Sequence, residues 1–225
     1  MNKIKTTLIA LFGAVVLTTS ALSGTFGVGV SGSLYTIEAD VTEKTTAGTV
    51  AGGTADTHKG NLDNVHVPVP AIFAEYNFDG FGGLTVGYEM VMGTADVSKN
   101  FVSRLEAPLS GDNVGVNTTF KANASIENLA TAYLEFPIGG FFIKGGYAMA
   151  DVVTEESGMT AYGNADLDGV VYGVGFKSGT DAGINYKLAY EAMDFDTVSV
   201  KNANGNEVSG NIDAAGLKLS IGYNF

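Results

Sequence analysis

The sequence predicts an all-β protein: an eight-stranded antiparallel up-and-down transmembrane β-barrel. Apolar residues alternate with polar or small ones in eight separate segments, as in strands that have two different faces. Short and long connections join these segments in turn. Beyond the N-terminus, no apolar run reaches the length of about 20 residues that a membrane helix needs. A membrane location would therefore require a closed barrel, which pairs every backbone group within the sheet.

Composition narrows the class of protein. The 225 residues include 31 glycines, 13 phenylalanines and 10 tyrosines, but no cysteine and no tryptophan. Aromatic residues favour strands and glycine favours turns, and the length fits one domain. The absence of cysteine excludes thiolate metal sites and a lipid-modified cysteine. Acids outnumber bases by 24 to 12, which argues against nucleic acid as a partner because phosphate contacts require Lys and Arg.

The N-terminus has the three parts of a secretory signal peptide. Lys3 and Lys5 form a basic start, Leu8 to Leu17 is apolar, and small residues follow as far as Gly24. This pattern predicts a cleaved signal over residues 1–23, with cleavage between Ala21 and Gly24, and a barrel over residues 24–225. An uncleaved membrane anchor is the alternative. Cleavage would change the net charge from −12 to about −14.

The last strand shows the alternation most clearly. Its apolar face consists of Leu217, Leu219, Ile221, Tyr223 and Phe225, and small or polar residues occupy the positions between them. In a membrane barrel the apolar face contacts lipid and the polar face lines the interior.

Seven earlier segments repeat this pattern. Their predicted lipid-facing residues are Phe26, Val28, Val30 and Leu34; Ile72, Ala74, Tyr76 and Phe78; Leu84, Val86, Tyr88, Met90 and Met92; Ala130, Ala132, Leu134 and Phe136; Phe141, Ile143, Tyr147 and Met149; Val170, Tyr172, Val174 and Phe176; and Ile184, Tyr186, Leu188 and Tyr190. Beyond Leu34 the alternation is interrupted, which predicts either a bulge or the border of the lipid.

The connections differ in length at the two ends of the predicted barrel. Short turns lie at residues 79–82, 137–140 and 178–183, and long loops at about 42–67, 96–125, 153–168 and 197–212. In outer-membrane barrels the short turns are periplasmic and the long loops extracellular. We therefore expect both termini in the periplasm. Aromatic residues crowd the short turns and suggest an interfacial girdle: Phe78, Phe81, Phe136, Phe141, Phe176 and Phe225.

The end of the chain resembles a known family. Terminal Phe225, with Tyr223 two residues earlier, is similar to the C-terminal strand signal of bacterial outer-membrane proteins. Together with the strand count, the loop asymmetry and the signal peptide, it resembles the small eight-stranded barrels: the OmpA transmembrane domain, OmpX and the opacity proteins. The resemblance implies a cell outer membrane location, contact with membrane lipid and lipopolysaccharide, and insertion by the barrel assembly machinery, with Tyr223 and Phe225 as the assembly signal.

The interior face carries equal numbers of acids and bases. By strand alternation, four carboxylates and four ammonium groups point inward: Glu75, Glu89, Glu135, Glu191, Lys144, Lys177, Lys187 and Lys218. The interior of an eight-stranded barrel is about wide enough for side chains alone. The pattern therefore predicts an ion-pair network that fills the lumen. A charge-lined conduction path is the alternative.

Other candidate sites are weaker. Both histidines, His58 and His66, fall in one predicted loop without a nucleophile–base–orienter set. The G-x-G-x-x-G pattern from Gly27 has no following helix. The segment 202–206 only partly matches a calcium loop. We predict no catalysis and no cofactor, and a structural or surface-exposed role for an integral outer-membrane barrel. The alternatives are a small porin-like channel for ions or small solutes, and an adhesin or phage receptor.

Overall fold

The computed structural model describes residues 23–46, 55–80, 82–96, 102–106, 118–157, 162–203 and 205–225. Residues 1–22, almost all of the predicted signal peptide, lie outside this part. In the described ranges no helix has the length and apolarity that a membrane crossing requires.

Strands make up all the regular structure of the described residues. They are β1 (Gly24–Thr45), β2 (Asp56–Phe78), β3 (Thr85–Val91), β4 (Ala95–Asp96), β5 (Val102–Glu106), β6 (Thr118–Ile138), β7 (Phe141–Ser157), β8 (Ala165–Gly179), β9 (Ile184–Phe195), β10 (Val198–Lys201) and β11 (Glu207–Asn224). Eight of them form an antiparallel ring in the order β1-β2-β3-β6-β7-β8-β9-β11, and β11 pairs with β1. The predicted up-and-down barrel of eight strands is confirmed.

The first and last strands close the barrel along nearly their whole length. Their ladder runs from Gly27 opposite Asn224 to Lys44 opposite Glu207, and the Phe225 amide donates a 2.8 Å hydrogen bond to the Phe26 carbonyl. We call the end that holds Phe225 and the short turns the turn end, and the opposite end the loop end. Because β1 and β11 pair with each other, neither the first nor the last strand is left as a free sheet edge.

The strands extend further toward the loop end than the alternation suggested. The β1–β2 ladder continues to Thr45 opposite Asp56, and β10 pairs with the start of β11. Short strands β4 and β5 pair with β6. Much of the predicted loops at 42–67, 96–125, 153–168 and 197–212 is therefore paired strand. Outside lipid, both faces of a strand can carry polar residues. The alternation therefore disappears there, while the hydrogen-bonded ladder continues.

A register shift interrupts the β1–β2 ladder between Ile37 and Ala39. The opposite strand contains Asn64 with a φ of 57°, in the left-handed region that Asn tolerates better than most residues. This irregularity lies just beyond Leu34, where the sequence predicted a bulge or the lipid border.

Exposed apolar side chains cover the outer face of the barrel between its two ends. We call this surface the apolar belt. Leu219 is 63% exposed, and Leu134, Val174, Leu188 and Leu34 are each more than half exposed. At the turn end, aromatic rings pair across strands, as in Phe141 and Phe176 with centroids 5.9 Å apart. The belt supplies the lipid-facing surface that the alternation predicted.

Four predicted lipid-facing residues are buried instead. Met149 is completely buried and lies opposite Ala130, itself 4% exposed, where the β6–β7 register shifts. Tyr76 and Phe78 are 4% and 8% exposed and pack edge to face with centroids 4.8 Å apart. Local irregularity and contact between neighbouring rings thus remove these side chains from the lipid-facing surface.

Candidate functional site

Seven charged side chains meet inside the barrel, nearer its turn end. We call them the charged layer: Glu75, Glu89, Glu135, Glu191, Lys144, Lys187 and Lys218. Each is buried, and each lies on the inward face because strand side chains alternate. Six different strands contribute them, and only β9 contributes two. Charges this deeply buried require partners, and the structure provides them.

Lys187 binds two carboxylates in the first part of the charged layer. Its ammonium contacts Glu75, and it donates a 2.7 Å hydrogen bond to Glu135 Oε2. The Tyr133 hydroxyl donates a further bond of 2.8 Å to Glu75 Oε1. Two acids therefore share one cation, and a neutral hydroxyl provides an additional donor.

Glu191 joins two lysines in the second part. Lys144 donates to Glu191 Oε1 at 2.8 Å, and Lys218 donates to Glu191 Oε2 at 2.8 Å. Lys218 also pairs with Glu89 Oε1 at 2.5 Å. The Tyr35 hydroxyl reaches Glu191 Oε2 at 3.1 Å. Both oxygens of Glu191 are thus engaged with buried cations.

Aromatic rings connect the two parts of the layer. The Lys144 ammonium lies 3.9 Å from the centroid of the Tyr133 ring, a cation–π distance. The Lys187 ammonium lies 5.8 Å from the Phe73 ring and 5.7 Å from the Phe142 ring. The cavity that remains among these side chains measures about 10 Å³, close to the minimum for a single water. The side chains of the charged layer thus pack closely against one another.

Lys177 differs from the other predicted interior charges. It lies opposite Lys187 in the β8–β9 register and is only partly buried. It forms no ion pair with any residue that the structure describes. The alternation placed it on the inward face, but Lys187 already holds the carboxylates of Glu75 and Glu135. Seven of the eight predicted interior charges therefore form ion pairs within the described chain, and Lys177 does not.

A second layer, which the sequence analysis missed, fills the loop-end half of the interior. It is apolar, and its buried members are Tyr35, Ile37, Val69, Ile126, Ala148, Ala150, Leu167, Val171, Met193, Phe195 and Ala214. Leu167 and Ala148 are completely buried. We call this group the apolar layer. It corrects the expectation of a polar interior along the whole barrel. Following the inward positions of β9 past Glu191 to Met193 and Phe195 would have revealed it.

Hydrogen bonds hold the connections at the loop end. The Tyr162 hydroxyl donates to Glu43 of β1, and the Thr46 amide donates to Asn206 Oδ1 at 2.8 Å. The Asn206 amide in turn donates to Asn202 Oδ1 at 3.0 Å. The segment that partly matched a calcium loop therefore uses its amide groups to form a turn. Within the described ranges, no group of three His, Cys, Asp or Glu side chains could hold a metal ion.

The remaining sequence candidates lie in ordinary strand positions. His66 hydrogen-bonds Thr36 across the β1–β2 ladder, with Nδ1 and Oγ1 3.0 Å apart. His58 lies opposite Glu43 on the same ladder. The glycine-rich stretch from Gly27 is part of β1, without the helix that a dinucleotide fingerprint needs.

Acidic side chains border the apolar belt at the loop end. Glu38, Asp213 and Asp194 are neighbours in register on β1, β11 and β9. Partial burial and the negative charge of Asp194 raise the pKa of Asp213. The outer surface thus changes abruptly from apolar to anionic where we expect the membrane to end.

Similar proteins were found among solved structures. No protein-family model matches the chain, and neither does any curated protein. OprG of Pseudomonas aeruginosa is 14% identical with a TM-score of 0.49, covering 91% of this chain and 97% of that one. Neisserial surface protein A is 13% identical, with a TM-score of 0.38 and coverages of 89% and 97%. The attachment invasion locus protein of Yersinia pestis, solved with a heparin analogue, is 12% identical, with a TM-score of 0.34 and coverages of 88% and 99%.

These proteins are of the small outer-membrane barrel type that the sequence resembled. The eight-stranded ring of this chain has that architecture. Because every TM-score is below 0.5 and every identity is below 15%, the comparisons assign no activity, ligand or partner to this chain.

Proposed function

We propose that this chain is an integral outer-membrane protein with a sealed interior, which acts as a structural or surface-exposed element and not as a channel or an enzyme. The observation that carries the proposal is the pair of stacked layers inside the barrel. Water and ions on a path through the lumen would have to pass both the charged layer and the apolar layer. The two layers obstruct that path for different physical reasons.

The charged layer resists opening because its ions are held on several sides. Glu191 binds two lysines and Lys187 binds two carboxylates, so moving either of these two side chains leaves a buried charge without an ion-pair partner. Such a loss costs about 3–5 kcal/mol. The apolar layer adds a second barrier, because polar solutes gain no hydrogen bonds among Leu167, Val171 and Phe195.

Extended hairpins at the loop end favour a surface role. The ladders of β1, β2, β10 and β11 continue past the acidic border of the apolar belt as a small polar sheet. An exposed sheet of this kind provides a rigid surface for contacts outside the cell, as an adhesin or phage receptor would need. The same proposal includes insertion by the barrel assembly machinery, with exposed Tyr223 and Phe225 as the signal. It also includes contact with lipopolysaccharide.

Cysteine labelling tests the location and orientation. The chain has no cysteine, so single replacements can be labelled without background. Lys59→Cys, exposed at the loop end, should react with a membrane-impermeant maleimide on intact cells. Asp181→Cys, exposed at the turn end, should react only after the outer membrane is opened. If only Asp181→Cys is labelled on intact cells, the orientation is the opposite of the one proposed. If neither variant is labelled in envelope fractions, the outer-membrane location is contradicted.

Liposome swelling tests the sealed interior. Vesicles containing the purified protein should swell in isotonic sugar no faster than protein-free vesicles, whereas vesicles with a 16-stranded porin should swell rapidly. Swelling at a rate that rises with the amount of this protein would favour the porin-like alternative.

A further inference from the structure

The two parts of the charged layer differ in their balance of charge. In the second part, two carboxylates pair with two ammonium groups. In the first part, Glu75 and Glu135 share the single ammonium group of Lys187. If both acids of the first part were ionised, it would carry a net charge of −1 deep inside the barrel, where an uncompensated charge is costly.

The carboxylates of Glu75 and Glu135 lie close together in this part. Both residues are 3% exposed, and each has an oxygen hydrogen-bonded to the same Lys187 nitrogen. Two hydrogen bonds to one nitrogen place these oxygens within about 6 Å of each other. Two carboxylates at such a separation in a closely packed site resist being ionised together, because each negative charge disfavours the other.

Glu135 has the weaker support for a negative charge. Among the described residues, its one hydrogen-bond donor is Lys187. Glu75 accepts hydrogen bonds both from Lys187 and from the Tyr133 hydroxyl. Hydrogen bonds to a carboxylate favour its ionised form, so of the two acids Glu135 is the one that more readily keeps a proton.

The other groups that face Glu135 do not replace the missing counter-ion. Lys144 lies opposite it in the β6–β7 register, but its ammonium is paired with Glu191. Lys177 interacts electrostatically with Glu135, but it is only partly buried and forms no ion pair with a described residue. Solvent screens such a charge. Thr85, opposite Glu135 in the β3–β6 register, is uncharged.

We propose that the charged layer binds one proton at neutral pH and that Glu135 holds it. Neutral Glu135 still accepts the hydrogen bond from Lys187 through its carbonyl oxygen, while ionised Glu75 becomes the counter-ion of Lys187. The proton thus serves as the missing cation of the first part. The inference rests on the close packing of the charged layer. Bilayer conductance reports on the seal and the measurements below report on the proton, so either claim can fail alone.

Infrared spectroscopy of the folded barrel in phosphatidylcholine vesicles detects the proton directly. A neutral carboxylic acid has a carbonyl band that is separate from the bands of amides and carboxylates. At neutral pH, the spectrum of the unsubstituted protein minus that of Glu135→Gln should contain this band, with the intensity of one carboxylic acid per chain. A difference spectrum that contains carboxylate bands alone would overturn the proposal.

The pH dependence of unfolding in urea tests the same proton by a second route. The unfolded chain releases glutamate protons above about pH 4.3, whereas the folded barrel keeps the one on Glu135. Folding therefore takes up a proton, and stability falls as the pH rises. Between about pH 5.5 and about pH 7.5, the unfolding equilibrium constant of the unsubstituted protein, divided by that of Glu135→Gln, should rise about tenfold per pH unit. A ratio that does not change with pH would contradict proton uptake.

Two further substitutions locate the proton. Glu75→Gln leaves Glu135 as the sole carboxylate on Lys187, so Glu135 becomes ionised and the carbonyl band should disappear. Glu207→Gln, the same replacement in a partly exposed ion pair with Lys201 at the loop end, should leave the carbonyl band and the pH dependence unchanged. A carbonyl band that persists in folded Glu75→Gln would refute the shared lysine as its cause.

A heat-sensitive band shift in unboiled gels verifies that each variant folds. If Glu135→Gln does not fold, the difference spectrum against Glu75→Gln provides the same test, because that variant should also lack the neutral acid.

Discussion

Replacing Glu191 by glutamine should destabilise the barrel, because it removes a carboxylate that two buried lysines share. Glu191 is 2% exposed and accepts hydrogen bonds from Lys144, Lys218 and Tyr35. Glutamine has nearly the same shape, so the substitution removes the negative charge with little change in packing. Lys218 keeps Glu89 as an ion-pair partner, whereas Lys144 keeps the ring of Tyr133 but no ion pair with any residue that the structure describes.

The expected loss follows from those contacts. Leaving one buried ammonium without a counter-ion costs about 3–5 kcal/mol. Glu89→Gln provides the matched comparison, because Lys218 then keeps Glu191 and no lysine loses its last carboxylate. Loss of a single charged hydrogen bond costs about 1.5–3 kcal/mol, so Glu89→Gln should be clearly the milder change.

Urea unfolding in lipid vesicles measures the difference. The protein has no tryptophan, so circular dichroism and the gel band shift follow the transition. The double variant Glu191→Gln with Lys144→Met should recover part of the loss, because it removes the isolated cation. Equal free energies of unfolding for Glu191→Gln and Glu89→Gln, or no recovery in the double variant, would refute this account of the charged layer.

Three further changes test separate features, each by urea unfolding. Lys177→Met should alter the free energy of unfolding by less than about 1 kcal/mol, because partly exposed charges without a partner contribute little; a loss above 2 kcal/mol would reveal a missing partner. Asp213→Asn should stabilise the barrel by at most about 1 kcal/mol at neutral pH. Burial and Asp194 raise the pKa of Asp213, so its repulsion disappears as the pH falls through that pKa. The gain should therefore be absent in acid; a gain that persists there would have another cause. Gly87→Ala would place a Cβ in a steric clash with the Tyr133 ring, whereas Gly145→Ala meets nothing within 4 Å. The first should destabilise and the second should not, and equal effects would contradict the close packing of that ring.

Alternation was sufficient to predict the ring of strands. Leu217 to Phe225 alternate without interruption, and one face of every strand must contact lipid. The same rule placed Glu75, Glu135 and Glu191 inside the barrel, since a charge on the lipid face would be costly. These features follow from local sequence because the membrane imposes a single constraint on every strand.

The positions of side chains and strand ends along the barrel axis were harder to predict from alternation. Alternation along a strand shows which face a side chain is on, but it does not show which residue that side chain contacts. Lys177 and Lys187 therefore seemed equivalent. The apolar layer escaped notice for a related reason: inward Met193 and Phe195 lie beyond the clear alternation of β9, where the outward residues have become polar. The strand ends were missed because hydrogen-bonded ladders continue outside lipid without an apolar face.

The conductance of the purified protein in a planar lipid bilayer tests the central claim most directly. If the charged layer and the apolar layer together seal the lumen, as we propose, insertion should produce no current steps above those of a protein-free bilayer. The gel band shift must show that the inserted protein is folded. Reproducible steps from folded protein, altered in size by Glu191→Gln, would contradict the sealed interior and establish the charged layer as the wall of a pore.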